Sequence, residues 1–378
     1  MTWTYYVGDA LTGQIWDEFP FSEFSFSRAL QRPGGWSARL PRTSPKIQGD
    51  GAGLLTPNRT AVWAAKDGVL FSGGILHSKR NNTQNRDIEL AGQGWWWYWR
   101  DRTAIESRAG MTYATGASAG EITFAAVDQF RIVTDLLAHV QTLGGAYPLT
   151  VGLRGPAGGG LSGVLRDRTY RAEERRPAGI LIEQLAGVID GPEFGVDWSW
   201  VGQTPTATLN LDYPTRGRPT GLVFEHGRNV TVLDHTENGV DQITVMDAFG
   251  SGQGDTQLVS RASSTDLYPS GAWPRLTGNR AHKTVSVAAT LAAHAATDLK
   301  AAQIPVVSIK VELIGDADAQ LGAFIEGDRV EVHAEDGVLD VHGSYRVQSY
   351  DVKIDSEGLL TIGCDLASNN IVKTVDEG

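Results

Sequence analysis

Residues 57–102, PNRTAVWAAKDGVLFSGGILHSKRNNTQNRDIELAGQGWWWYWRDR, constrain the fold more than any other stretch. Two apolar runs, Ala61–Ala65 and Val69–His77, flank Lys66-Asp67-Gly68. Asp-Gly between such runs signals a hairpin, because a tight primed turn needs positive φ and glycine adopts it without steric cost. Gly73-Gly74 reads as a bend or bulge, as at the corner of a small barrel. After a polar tip, Lys79 to Arg86, Ile88–Ala91 returns as a third antiparallel strand. That strand runs on into Trp95, Trp96, Trp97, Tyr98 and Trp99, then Arg100-Asp101-Arg102.

A related pattern lies near the C-terminus. The run Gly327 to Leu339 ends in Asp-Gly-Val-Leu, as residues 67–70 do, and Gly343 follows at the spacing of Gly74. Upstream, Arg-x-x-Val recurs with a one-residue offset, Arg59/Val62 against Arg329/Val332. This reads as a duplicated β unit, with two independent Asp-Gly hairpins as the alternative.

A chain of 378 residues has room for two or more domains, and 45 glycines with 15 prolines imply many turns and a β-rich body. No apolar run approaches the roughly 18 residues of a membrane helix. Met1 to Tyr6 lacks the basic and apolar regions of a signal peptide, so no signal-directed secretion is expected. The single cysteine, Cys364, excludes an intrachain disulfide and a cysteine zinc cage, and reads as a small buried strand residue. A net charge of −11 argues against a grip on nucleic acid, which needs a basic face. An acidic wall would instead repel DNA and keep it moving.

Strand patterns begin at Tyr5-Tyr6-Val7. Phe19, Phe21, Phe24 and Phe26 alternate as on a half-buried strand, and Trp36 and Leu40 continue the theme. Residues 43–58 read as loop plus a short helical turn. Ala117–Leu143 carries a helical stripe, Ile122, Phe130, Ile132, Val133, Leu136, Leu137 and Val140, stopped by Gly144-Gly145. Residues 152–163 form a glycine-rich loop, and Ala178–Ile189 is a second amphipathic helix. Strands follow at 194–201, 206–211, 222–224, 230–234 and 242–247. A loop-rich stretch (249–283), an alanine-rich helix (Val285–Gln303) and a strand (Pro305–Leu313) precede the second hairpin. Tyr345–Ile354 and Leu359–Asp365 end the strand series, and the last residues read as frayed.

With these elements in order, the chain resembles the baseplate or tail-tip hub proteins of tailed bacteriophages, in the branch called minor tail proteins of actinobacterial siphophages. The resemblance is carried by Asp9-Ala10-Leu11-Thr12-Gly13, Phe19-Pro20-Phe21, Leu40-Pro41, Pro57-Asn58-Arg59, Asp67-Gly68-Val69, Gly74-Ile75 and the run Trp95 to Arg100. It continues through Asp128-Gln129 opening a helix, Arg168-Thr169-Tyr170, Tyr213-Pro214-Thr215-Arg216-Gly217, and Phe224-Glu225 before Asn229. It implies an α+β, β-rich fold with two similar small β-barrel domains and helical or α+β accessory insertions. The expected boundaries are 1–102 plus 197–230 for the first barrel and 103–196 for a helical accessory insertion. The second barrel takes 231–260 plus 323–378, with a second accessory segment at 261–322. The resemblance further implies a homotrimeric ring in the virion tail tip, matching a sixfold tube to a threefold tip around the channel through which DNA leaves. Expected neighbours are the distal tail protein and tail tube on one side, tip or receptor-binding proteins on the other, and the tape-measure protein. Host cutting or recognition would then fall to other proteins.

No residue is assigned a catalytic, cofactor-binding or metal role, and no enzyme activity is expected. The Trp95–Trp99 run, read as a strand, sends Trp95, Trp97 and Trp99 to one face and Trp96 and Tyr98 to the other. It is read as core or interface, with a sugar-stacking platform as the alternative. That alternative, with eleven tryptophans and an acidic pI, carries a second function: a tail protein that binds or degrades cell-wall polysaccharide. A third reading is an interaction protein of a phage-like secretion device. The loop 155-GPAGGG-160 lacks the Gly-Lys-Ser/Thr ending of a phosphate loop and reads as flexible surface. Asp316 and Asp318 lack the EF-hand glycine and distal glutamate and read as a turn or helix start. Glu331, His333 and His342 flank the second hairpin and read as solvated exterior. Gly160-Leu161-Ser162-Gly163 is one residue short of a nucleophile elbow, and nothing singles out Glu173-Glu174 or Asp234/Glu237 for glycoside hydrolysis. Arg171 to Arg176 reads as a solvated loop or helix start.

Overall fold

The computed structural model describes residues 2–48, 51–82, 84, 86–105, 121–283, 285–314 and 321–367. The Asp316/Asp318 turn, the first residues of the expected 117–143 helix and the C-terminal end lie outside them. The chain is β-rich, with 49% strand and 17% helix, which makes it the expected α+β class. It divides into two compact units, residues 1–233 with 310–366, and residues 234–309 with 367–378.

The first part of the chain gives β1 (Trp3–Asp9), β2 (Ile15–Glu18), β3 (Glu23–Ala29), β4 (Gly35–Pro41), α1 (Pro45–Gln48), α2 (Gly51–Leu54), β5 (Thr60–Lys66), β6 (Val69–Asn81), β7 (Asp87–Gly94) and α3 (Trp96–Asp101). Next come β8 (Glu121–Asp128), α4 (Gln129–Thr142), β9 (Thr150–Arg154), β10 (Leu165–Arg171), α5 (Ala178–Ala186), β11 (Glu193–Val201), β12 (Thr204–Asp212), β13 (Pro219–Glu225) and β14 (Val230–Asn238). The rest comprises β15 (Val245–Phe249), β16 (Val259–Ser263), β17 (Thr277–Ala281), α6 (Ala288–Ala302), β18 (Val306–Ile314), β19 (Arg329–Asp336), β20 (Leu339–Ile354) and β21 (Leu360–Ala367).

A 13-stranded sheet runs β14-β18-β21-β20-β3-β4-β7-β6-β5-β1-β2, with β19 joining β20 and β13 joining β19. Its hydrogen-bonded order does not close on itself among the described residues, so most strands expected to make two barrels share one continuous sheet, while β11 and β12 pair with β9, and β15 with β16 and β17, in separate three-stranded sheets. The seam is β20 with β3, where Ser349 to Ile354 pair antiparallel with Ala29 to Phe24. One strand pair thus joins the N-terminal and C-terminal β segments.

Both Asp-Gly hairpins form, with two-residue loops that differ in detail. In the first, Lys66 pairs with Val69, and Asp67 and Gly68 both take positive φ (48° and 82°), as a type I′ turn requires. In the second, Asp336 pairs with Leu339, so the loop is Gly337-Val338, shifted by one residue. Yet Val62 faces Gly74 and Val332 faces Gly343. The extra residue of the first hairpin is Phe71, bulged between the Ala64–Ser72 and Ala65–Leu70 pairs. The one-residue offset read in the sequence is therefore a β-bulge.

Gly73-Gly74 is not that bulge. These glycines make room for tryptophan. A Cβ on Gly73 would lie 2.4 Å from the Trp198 ring, one on Gly74 2.5 Å from Trp36, and one on Gly92 2.2 Å from both Trp36 and the Ile75 carbonyl. Flat indole faces rest on bare backbone, which packs the sheet at interior density. Phe19, Phe21, Phe24 and Phe26 are all buried, though only Phe24 and Phe26 lie on a strand. Cys364 is buried in β21, where loss of solvation raises its thiol pKa far above the ordinary range.

Residues 103–196 hold strands β8, β9 and β10 as well as α4 and α5. The expected 117–143 helix begins only at Gln129, and Ile122 sits on β8. Asp128 sets the boundary as N-cap, accepting from Phe130 N at 2.9 Å. Its other oxygen accepts from Ser162 Oγ (3.0 Å) and Gly163 N (2.7 Å), which ties down the end of the glycine-rich loop. The stripe Phe130, Ile132, Val133, Leu136, Leu137 and Val140 is wholly buried, in one core with α5 and β12. In the second unit, β15 lies between β16 and β17, and α6 packs on it through Leu291 and Ala295 against Ala248.

Gly92→Ala is expected to cost about 1–3 kcal/mol, since neither the Ile75 carbonyl nor the Trp36 ring can yield without moving a strand. Urea denaturation checks it, with Gly68→Ala as a contrast of different origin: no atom lies within 4 Å there, and only its φ of 82° resists.

Candidate assembly site

The Trp95–Trp99 run is a helix, not a strand, so the two-face alternation does not apply. Trp95, Trp96 and Trp99 are buried at helical spacing, while Trp97 and Tyr98 are half-buried. Helix α3 crosses α5 so closely that a Cβ on Gly179 would lie 2.6 Å from the Arg100 backbone. Glu183 of α5 accepts from Trp96 Nε1 (2.9 Å) and Arg100 Nε (3.2 Å), and Trp95 Nε1 donates to the Pro148 carbonyl at 2.7 Å. Trp97 packs edge-on against His77 and lies under Arg102. Three of the five aromatic residues are committed to the core, which removes the sugar platform placed there.

The remaining sequence candidates lie in separate parts of the fold, apart from His333 and His342. Ser162 is bound to Asp128, with no base–nucleophile arrangement. Glu173 and Glu174 lie in a 3₁₀ turn, and Asp234 and Glu237 are exposed on β14. His333 and His342 face each other across the second hairpin, whereas Glu331 pairs with Ser344.

What the fold assembles is a buried charge cluster absent from the sequence reading. It gathers Arg28 (β3), Glu193 and Asp197 (β11), Asp212 (β12), Arg216, Glu326 and Arg346 (β20). Arg346 forms a two-pronged pair with Glu193 and donates to the carbonyls of Gly327 (2.9 Å) and Arg216 (2.8 Å). Glu193 also accepts from Arg216 N at 2.7 Å. The Arg216 guanidinium reaches Asp212 (3.0 Å), Asp197 (2.9 Å) and Glu326 (3.0 Å). Arg28 binds Asp197 and also Glu326 at 2.9 Å. The side chains of Arg216, Glu326, Arg346 and Glu193 are all at most 2% exposed.

Backbone geometry makes room for it. A Cβ on Gly195 would lie 2.5 Å from Glu326 Oε1 and 2.6 Å from Arg216 Nε. Gly217 and Gly327, both at positive φ, bring two chain segments so close that a Cβ on Gly217 would sit 2.2 Å from the Gly327 carbonyl carbon. Asp328 then accepts from Arg218 N (2.8 Å) and Ile325 N (2.9 Å), fixing the same crossing. Of the cluster, only Arg216-Gly217 lies in a stretch singled out by the sequence.

The charges balance unevenly. Burial pushes the Asp197 carboxyl up, but Arg28 and Arg216 outweigh it and hold its pKa far below the carboxylate range. Burial also opposes the Arg28 charge, and Glu326 and Asp197 more than offset that. For Asp212 burial wins over Arg216, and its pKa is raised.

Arg346→Leu removes the buried cation that pairs with the Glu193 carboxylate and is expected to cost about 3–5 kcal/mol in urea unfolding. For pH, the depressed Asp197 stabilises the fold above its unfolded pKa of about 3.9, and that contribution is lost as pH falls toward the folded value. Asp212, shifted the other way, contributes in acid and loses that contribution as pH rises through its folded pKa. Thermal midpoints should therefore fall steeply below about pH 4, and Asp197→Asn should flatten that acid limb.

No family model matches the sequence. No curated protein matches it either. Solved structures do. A 43 kDa tail protein of prophage MuSo2 from Shewanella oneidensis superposes with a TM-score of 0.64 at 11% identity, over 96% of this chain and 97% of that one. A tail protein from Neisseria meningitidis MC58 gives 0.58 at 12% identity, over 97% of each chain. The E. coli c3393 protein, a component of the type VI secretion system described as similar to T4 bacteriophage tail proteins gp27 and gp5, gives 0.50 at 8% identity, over 94% of this chain and 76% of that one. Over nearly its whole length, the chain has the fold of phage tail proteins.

Proposed function

We propose that this protein is a structural hub of a phage tail tip or baseplate. It assembles as a homotrimeric ring that adapts a sixfold tail tube to a threefold tip and surrounds the DNA-ejection channel. The observation that carries this is the end-to-end likeness to tail proteins of matching length. The two register-matched hairpins support it: two similar β units in each of three chains present six similar surfaces. The buried arginine–carboxylate cluster supports a structural rather than a catalytic role, because it ties β3, β11, β12 and β20 together. The net charge of −11 fits a channel wall that repels passing DNA. In this reading the partners are the distal tail protein and tube on one face and tip proteins on the other, and the mechanism is assembly without chemistry.

The polysaccharide reading keeps one foothold. Tyr6 and Trp200, in edge contact with centres 5.3 Å apart, line a shallow groove with Gln14 and Gln203. Aromatic faces beside amides suit a sugar ring, and a glycan array with Trp200→Ala as control tests this directly.

Light scattering on the purified chain, followed by negative-stain imaging, tests the hub. A ring with the mass of three 40.7 kDa chains is the expected result, alone or after adding tail components. A chain that stays monomeric with every tail component present overturns the trimer, and saturable Trp200-dependent glycan binding would favour the second reading.

A further inference from the structure

The second hairpin exposes a set of side chains outside the buried charge cluster. In register across β19 and β20, His333 faces His342 and Glu335 faces Asp340. All four are exposed on one face. His342 Nε2 lies 3.0 Å from Glu335 Oε1 and 3.3 Å from Asp340 Oδ1. Among the described residues, Glu335, Asp340 and His342 are the one group of three metal-ligating side chains whose donor atoms converge within 4.8 Å of one another.

We propose that this hairpin face binds one zinc-class divalent transition-metal ion through His342, Glu335 and Asp340, and that His333, outside that convergent group, turns in as the fourth ligand. The spacing is what such an ion needs. Donors about 2.0–2.1 Å from a tetrahedral ion lie about 3.3–3.4 Å apart, close to the two distances at His342. An imidazole centre sits about 3.2 Å from the ion its nitrogen binds, so two imidazoles on one tetrahedral ion have centres about 5.2 Å apart. The His333 and His342 ring centres are 5.2 Å apart. The donor chemistry selects the metal: two imidazoles with two carboxylates suit zinc and its first-row neighbours, whereas calcium and magnesium take oxygen donors alone. Acidic residues by themselves would carry no such preference. The paired histidines, placed opposite each other by the strand register, supply it. An ion there would clamp the two strands beside the Gly337-Val338 turn, where Val338 stands fully exposed.

The test is calorimetric titration of the tag-free, chelator-treated full chain with zinc chloride, with a visible spectrum of the cobalt(II) form as a second readout. One ion per chain is expected, with tetrahedral cobalt absorption. His342→Ala should weaken binding at least tenfold, and so should the double variant Glu335→Gln with Asp340→Asn. All three positions are exposed, so circular dichroism melts should match the parent protein. His226→Ala, at another exposed histidine, should leave binding unchanged. No saturable zinc binding by the parent chain, or binding undiminished by His342→Ala, overturns the proposal. The readouts do not depend on ring assembly, so failure here leaves the hub reading standing.

Discussion

The fold of the larger unit turns on the burial of three guanidinium groups among four carboxylates. Arg28, Arg216 and Arg346 belong to segments that are far apart in sequence, as do Glu193 and Glu326, and each finds its charged partner only when the others are in place. Such a cluster is a poor source of net stability, because removing the ions from water costs about as much as their attraction returns. Its effect is on uniqueness. A one-residue slip of β20 against β3 would bring Tyr345 or Val347 to Glu193 and turn Arg346 away. The cluster thus makes wrong registers expensive where the N-terminal and C-terminal strands meet.

Glycine and tryptophan set the second constraint. Trp36 lies over Gly74 and Gly92, and Trp198 over Gly73, so large rings fill space that side chains on the same sheet would otherwise occupy. Gly179 lets α3 settle onto α5, which brings Trp95, Trp96 and Trp99 of the aromatic run into one buried core with α4, α5 and β12. An interior of this kind is closely packed and difficult to deform. The same economy appears at Asp128, which starts α4 and anchors the glycine-rich loop with one carboxylate.

Much was legible before any coordinates. The strands of residues 57–94, both Asp-Gly hairpins and the helices at 178–186 and 288–302 follow from local pattern, because turn chemistry and periodicity are local physics. The errors also have local causes. Within Trp95–Trp99 every side chain is aromatic, so no contrast between faces exists from which to read a period. At 117–143 the helical stripe is correct from Phe130 onward, while Ile122 belongs to β8, because an apolar residue before the Asp128 N-cap falls into the helical spacing by coincidence. Gly73-Gly74 looked like a bend because glycine in a strand has two uses, and only the neighbouring indoles tell them apart.

The sequence by itself determined the β-rich class, the two hairpins and the acidic charge, since each rests on residues that are neighbours in the chain or on their sum. The tertiary structure alone decided the single continuous sheet, the buried ion cluster and the meeting of His333 with His342 beside Glu335 and Asp340. Glu193 and Arg346 are 153 positions apart and carry no local sign of each other. Partners of that kind are chosen by strand order and register, which arise only when the whole hydrophobic pattern is satisfied at once.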